Sequence, residues 1–134
     1  MVIKMNKKAF TLVELLAVIV ILGVVSLIAI PAVMNRIKAS EESAYEQNKE
    51  VLLAAGKLYF VNQSIFLEEI GDSITITLSQ LINAKEIERI KSPFNSTLYC
   101  NETGSFVHIE KVANAYTSVG FAIEYSVTLE CPRN

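Results

Sequence analysis

A chain of 134 residues has room for one domain plus a further element, and a hydrophobic share of 51% is high for a small domain solvated on all sides. Three of its twelve basic residues precede residue 9, which leaves nine against fourteen acidic ones in the remainder; that balance gives no support to direct nucleic-acid binding. His108 is the only histidine, so a multi-histidine metal centre is excluded.

The first segment is basic and then apolar. Lys4, Lys7 and Lys8 stand in a stretch with no acid, and from Leu15 to Met34 no charged residue occurs and Ser26 carries the one side-chain hydroxyl. Such a run spans roughly 30 Å as a helix, the thickness of a bilayer's hydrocarbon core. The lysines predict an N-terminus on the cytoplasmic side and export of the chain beyond the apolar run. That run is too long for a cleaved secretory signal, and no small-x-small site comes after it. A plain membrane anchor explains the length and the lysines but not Glu14. An acid in the hydrocarbon centre costs about 2.5–3.5 kcal/mol on insertion scales, and less near an interface.

The stretch Lys7-Lys8-Ala9-Phe10-Thr11-Leu12-Val13-Glu14 resembles the processing site of type IV prepilins and pseudopilins: a short basic leader, a small residue, a phenylalanine, and a glutamate four positions further on. The adjoining "ELLAVIVILGVVSLIAIPAV" is similar to the versions found in Gram-positive bacteria, with Gly23 and Pro31 where the family commonly has glycine and proline. Ala9 stands where the family usually has glycine. The resemblance implies that a prepilin peptidase cuts between Ala9 and Phe10, that the new Phe10 amine is methylated, and that Glu14 pairs with such an amine during assembly. It implies residues 1–9 as leader, 10–61 as a long helix with 12–34 in the membrane or filament core, and 62–134 as a globular head. The expected fold is α+β, a long helix packed on a small antiparallel sheet.

Beyond Met34 the pattern becomes amphipathic. Ile37, Ala44, Val51 and Leu58 recur every seven residues, with Tyr45, Leu52, Ala55 and Tyr59 beside them, and charged residues fill much of the remainder. This predicts one apolar stripe buried against the sheet; a coiled coil is the alternative, and usually needs more heptads. Pro31 removes a donor and leaves the Leu27 carbonyl without its helical partner, while Gly23 lowers helix propensity. The pair predicts a bend or, as the resemblance implies, a segment that loosens when subunits pack.

Residues 62–77 read as a connection with Gly71-Asp72 as a turn. Thr77-Leu78-Ser79-Gln80 reads as a capping box opening a helix over "LSQLINAKEIERI", with Leu78, Leu81, Ile82 and Ile87 inward. Strict alternation from Phe121 to Cys131 predicts a strand; Phe106–Val112 is a second and Thr97–Asn101 a third. Cys100 and Cys131 both fall in the exported part, where a disulfide is expected over a metal site. Closing that loop adds roughly 3–4 kcal/mol.

No phosphate-binding glycine loop, serine elbow or catalytic carboxylate pattern is legible, so no enzyme, cofactor or metal is expected. The expected partners are a prepilin peptidase, identical or related pilin subunits, the membrane, and an assembly platform protein driven by a cytoplasmic ATPase. The resemblance implies a filament subunit for adhesion or motility, made in the cytoplasmic membrane and moved to the cell surface. Two alternatives stand beside it: a pseudopilin of a competence or type II-like secretion machine, and an anchored extracytoplasmic binding domain that never polymerises.

Overall fold

The computed structural model describes residues 10–133; the leader with its lysines, the small residue Ala9, and Asn134 lie outside them. The element order is α1 (Leu12–Asn62), β1 (Ser73–Thr77), α2 (Leu78–Asn83), β2 (Phe106–Ala113) and β3 (Phe121–Thr128), an α+β fold in which the long helix packs on a three-stranded antiparallel sheet. The chain divides into two units after Ala39, and α1 contributes to both.

In the N-terminal unit the helix is apolar on all sides from Leu15 to Met34, and no described side chain of α1 up to Ala39 is covered. Its single hydroxyl is accounted for: Ser26 Oγ donates to the Leu22 carbonyl at 2.7 Å, so the group is satisfied within the helix and carries little desolvation cost. Helix continues through both Gly23 and Pro31.

In the C-terminal unit the core is built by Leu52 and Ala55 of α1, Ile76 of β1, Leu78 and Leu81 of α2, Val107 and Ile109 of β2, and Leu129. The sheet order is β1-β2-β3, and its inner rows derive from the register. Ile76 lies opposite Val107 and Val107 opposite Val127, while Ile74, Ile109 and Tyr125 form the next row. Thr75, His108 and Ser126 line up on the other face, where Thr75 Oγ1 and His108 Nδ1 are 3.0 Å apart. His108 is thus the polar strand residue that its place in the alternation predicts.

Only part of the stripe expected to face the sheet does so. Ile37, Val51 and Leu58 are 46%, 53% and 51% exposed, whereas Leu52 is fully buried and Tyr45 and Tyr59 pack against the core. The physical reason is Gly56. A Cβ at that position would lie 2.7–2.9 Å from Val107 Cγ2, Cβ and Cγ1, so the helix backbone comes down on β2 there and its Gly56 face becomes the packed one.

Three further expectations need correction. Ser73–Thr77, read as connection, is strand β1; its Ile74 and Ile76 alternate with hydroxyl residues, and pairing with β2 orders it. Thr97–Asn101 is no strand: its contribution is one isolated bridge between Tyr99 and Lys91. Helix α2 does cap as expected, the Gln80 N–H donating to Thr77 Oγ1 and Gln80 Oε1 accepting from the Thr77 N–H, but it ends at Asn83. Lys85 takes the left-handed conformation (φ 60°), the Lys85 N–H donates to the Ile82 carbonyl, and the Glu86 N–H donates to the Leu81 carbonyl. That is a Schellman termination built on lysine, without the glycine that would announce it. Helix α1 ends the same way on Ser64 (φ 49°), with Ser64 N–H to Val61 and Ile65 N–H to Phe60.

The C-terminal segment is fastened at several points. Cys100 and Cys131 form a disulfide across 31 positions. The Tyr45 hydroxyl donates to the Leu129 carbonyl, Ser92 Oγ donates to the Pro132 carbonyl, and the Asn101 N–H donates to Glu130. Arg133 lies over Phe94 and ion-pairs with Glu42 at 2.6 Å, and this hydrogen bond is the main cause that raises its pKa further above the ordinary arginine value.

Replacing both cysteines by serine is expected to lower the unfolding free energy by about 3–4 kcal/mol, read from denaturant titration of the full chain in detergent. Gly56→Ala gains about 1 kcal/mol of helix propensity but meets the buried Val107, and overpacking costs about 1–3 kcal/mol. A net loss of stability is expected, and a smaller penalty for Gly56→Ala in a Val107→Ala background; a stabilised Gly56→Ala chain would contradict the close approach.

Candidate functional site

Of the residues singled out by sequence, Phe10 and Glu14 stand at the start of α1. Phe10 precedes the helix and is 78% exposed. Thr11 is the cap: the Glu14 N–H donates to Thr11 Oγ1 at 3.2 Å and to the Thr11 carbonyl at 3.1 Å, and the Leu15 N–H donates to the same carbonyl at 3.2 Å. Thr11-Leu12-Val13-Glu14 therefore has the Thr-x-x-Glu spacing of a capping box, with Glu14 in the third helical position. Thr11 is a capping residue that sequence reasoning passed over, although this spacing could have found it.

Glu14 is the one acid of the first turn. The unsatisfied N–H groups and the macrodipole at a helix start favour a negative charge, by about 0.3–1 kcal/mol at exposed sites. Part of the compensation for an acid at the head of an apolar helix is thus local. The helix begins two residues after the Ala9–Phe10 bond, so an amine freed at Phe10 would stand beside this cap, at the same end of α1 as the carboxylate. Glu14 is the one charged side chain of the described residues ahead of the uncharged run from Leu15 to Met34.

Gly23 and Pro31 lie farther along the same helix and do not join this site. Around Pro31 the side chains are among the most open of the apolar segment, with Leu27 and Ile28 78% and 75% exposed. Cys100 and Cys131 belong to the C-terminal unit and serve its closure.

The C-terminal unit has two notable hollows. One, about 920 Å³, is lined by Ile82, Lys85, Glu86, Arg89, Lys91 and Tyr99 among others. Its cations are largely engaged: Arg89 ion-pairs with Glu102 and stacks on Tyr99 at 4.2 Å, and Lys91 lies 6.0 Å from the same ring. The other, about 560 Å³ and mostly apolar, lies between Phe60–Leu67 and the Phe121–Ile123 end of β3. Lys111 at its wall donates to the carbonyls of Leu67 and Glu68 and so holds that loop to β2. Among the described residues, no three His, Cys, Asp or Glu side chains converge to hold a metal ion.

Against known proteins, residues 4–30 match the family model of the prokaryotic N-terminal methylation motif, the signature of type IV pilins and pseudopilins. No curated protein and no solved structure matches the chain. The motif implies processing by a prepilin peptidase and polymerisation with pilin subunits, and it points to a structural protein. Together with the long apolar helix it fits membrane anchoring.

Thr11→Ala is expected to fray the first turn of α1 and Thr11→Ser to preserve it, a difference of about 0.5–2 kcal/mol in local stability. Amide exchange at Glu14 in detergent micelles reads it directly: faster exchange in Thr11→Ala is expected, and unchanged exchange would remove Thr11 from this role.

Proposed function

We propose that this chain is the precursor of a structural subunit of a type IV pilus-like filament. It is held in the cytoplasmic membrane by α1, cut after Ala9, methylated at Phe10 and polymerised through its N-terminal helix. The single observation that carries this reading is the methylation motif lying on an uncovered apolar helix whose capped first turn begins two residues beyond the cut.

The physical logic rests on burial. In the membrane the segment from Leu15 to Met34 is solvated by lipid; in a filament its neighbours are the same segments of other subunits. Both environments are apolar, so the transfer costs little, and α1 satisfies its own backbone in either except at the Leu27 carbonyl, which Pro31 deprives of its donor. Glu14 is the exception. An unpaired carboxylate in an apolar core costs several kcal/mol, and a well-made ion pair offsets much of that. The Phe10 amine of a neighbouring subunit supplies the counter-charge, and the pairing then selects one axial position between subunits over others. Pro31 and Gly23 weaken the helix between them, where it can loosen to fit a crowded core.

The C-terminal unit, outside the membrane in this reading, is the part exposed on the filament. Its disulfide suits an oxidising exterior.

Intact mass measurement of the mature chain is the first test: a chain beginning at N-methylated Phe10 is expected, and an intact Met1 in assembled material would overturn the reading. Glu14→Ala is expected to leave insertion and cleavage in place while filament recovery by shearing falls more than about tenfold, the ratio that corresponds to 1.4 kcal/mol per subunit. Normal filaments from Glu14→Ala would remove the pairing role while leaving the filament reading intact.

A further inference from the structure

The inward row of β2 does not end as it begins. Val107 and Ile109 are fully buried on the face that α1 covers, and the next residue on that face is Lys111, opposite Ile123 of β3. A half-buried cation thus stands where the alternation calls for an apolar side chain. Its ammonium group donates to the carbonyls of Leu67 and Glu68 at 2.9 and 2.8 Å and lies 4.5 Å from the centre of the Phe121 ring. An ammonium carries three protons. Among the described residues nothing accepts the third, and no carboxylate pairs with the charge. Two acids close by along the strands are turned elsewhere. Asp72 Oδ2 accepts from the Glu68 and Glu69 N–H groups, and Glu110 lies on the other face of β2, across from Glu124. A cation taken out of water without a counter-charge is costly, and two carbonyls and a ring face offset only part of that cost.

The space beside this ammonium is the apolar hollow of about 560 Å³, with Phe60, Val61, Phe66, Phe121 and Ile123 among its walls and Lys111 as the one charge in its lining. Small-molecule sites have volumes of this order and combine apolar walls with a few polar groups that orient the ligand. The walls are held in place by more than the lysine side chain. Helix α1 stops at the left-handed Ser64, with the Ile65 N–H on the Phe60 carbonyl. At the far end of the loop the Gly71 N–H donates to the Lys111 carbonyl, and the Lys111 N–H donates to the Asp72 carbonyl. The hollow is therefore formed before anything enters it. Fastening the loop needs donors alone, which an uncharged amide could supply; a net charge at this position has no use in that task.

We propose that the hollow binds a small amphiphilic carboxylate, its apolar body among Phe60, Phe66, Phe121 and Ile123 and its carboxylate on the third proton of Lys111. The ligand supplies the missing counter-charge, and a charge-assisted hydrogen bond beside apolar walls is among the stronger polar contacts. A neutral amphiphile fills the same walls but leaves the charge unpaired, so the site selects by charge as well as by shape. The site belongs to the C-terminal unit alone and is the same whether or not subunits polymerise.

The test uses the full chain in lipid nanodiscs, methyl-labelled at isoleucine and valine and followed by NMR. It is titrated with phenylpropanoate and, separately, with the neutral phenylpropanol. Saturable shifts are expected at the Val61, Ile65 and Ile123 methyls, with half-saturation by the acid about tenfold or more below that by the alcohol. Lys111→Met keeps the apolar stem and is expected to bring the two half-saturation points together. Val61→Trp, at an exposed position in the wall, is expected to abolish the shifts at Ile65 and Ile123 while thermal unfolding stays unchanged; this arm decides the question where Lys111→Met does not fold. Equal affinity for acid and alcohol in the native chain, a preference kept in Lys111→Met, or undiminished shifts in Val61→Trp overturns the proposal. Shifts confined to the apolar N-terminal segment report partition into lipid and overturn it too, as does the absence of any shift up to the solubility limit of the acid.

Discussion

The close approach of Gly56 to Val107 is the contact on which the C-terminal unit depends. With no side chain at Gly56, the backbone of α1 rests on the Val107 side chain, and the fully buried Val107 fills the space a Cβ would have taken. That contact fixes the rotation of the helix about its own axis. Once it is fixed, Leu52, Ala55 and Tyr59 turn to the core, and Val51 and Leu58, one residue away in sequence, turn out. The sheet then needs little else. Ile76 and Ile109 cover the same face, α2 closes one side with Leu78 and Leu81, and the disulfide with Tyr45 and Arg133 ties the chain end to the helix.

The same helix solves a different problem at its other end. A helix that leaves every side chain of its apolar length uncovered needs a surface without polar demands of its own. α1 meets this by satisfying its backbone internally, the Leu27 carbonyl apart, and by returning the Ser26 hydroxyl to the Leu22 carbonyl. The polar groups that remain are concentrated in the first turn, where Thr11 caps the helix and Glu14 is the one acid. In the filament reading proposed above, the apolar side chains of α1 would carry adhesion and Glu14, paired with an amine, the axial register, so the two could be altered separately.

Much of the protein was legible in the sequence because its signals are local. The length of the apolar segment, the basic start and the Phe10–Glu14 spacing are read along one chain with no reference to packing. The capping box at Thr77 and Gln80 is equally local and appears where expected, and the alternation read from Phe121 to Cys131 forms strand β3 as far as Thr128. The errors fall where a local signal was faint or was overridden. Ser73–Thr77 is too short to stand out, and its order comes from pairing with β2. α2 stops on a left-handed Lys85, which carries none of the marks of a helix end. Thr97–Asn101 has strand composition but no neighbouring strand to extend, and it remains a loop with one bridge.

The stripe on α1 shows the division most plainly. Sequence by itself determined that the helix is long, apolar at first and amphipathic afterwards, that its first turn holds one acid, and that a seven-residue period runs through its second half. It could not determine which of two adjacent apolar flanks the sheet would cover, because Ile37-Ala44-Val51-Leu58 and Tyr45-Leu52-Tyr59 have equal periodicity and differ by a rotation of about 100°. Only the tertiary structure decided that. A glycine permits approach on one flank alone, and packing obeys the shortest distance between backbones, which hydrophobic periodicity does not encode.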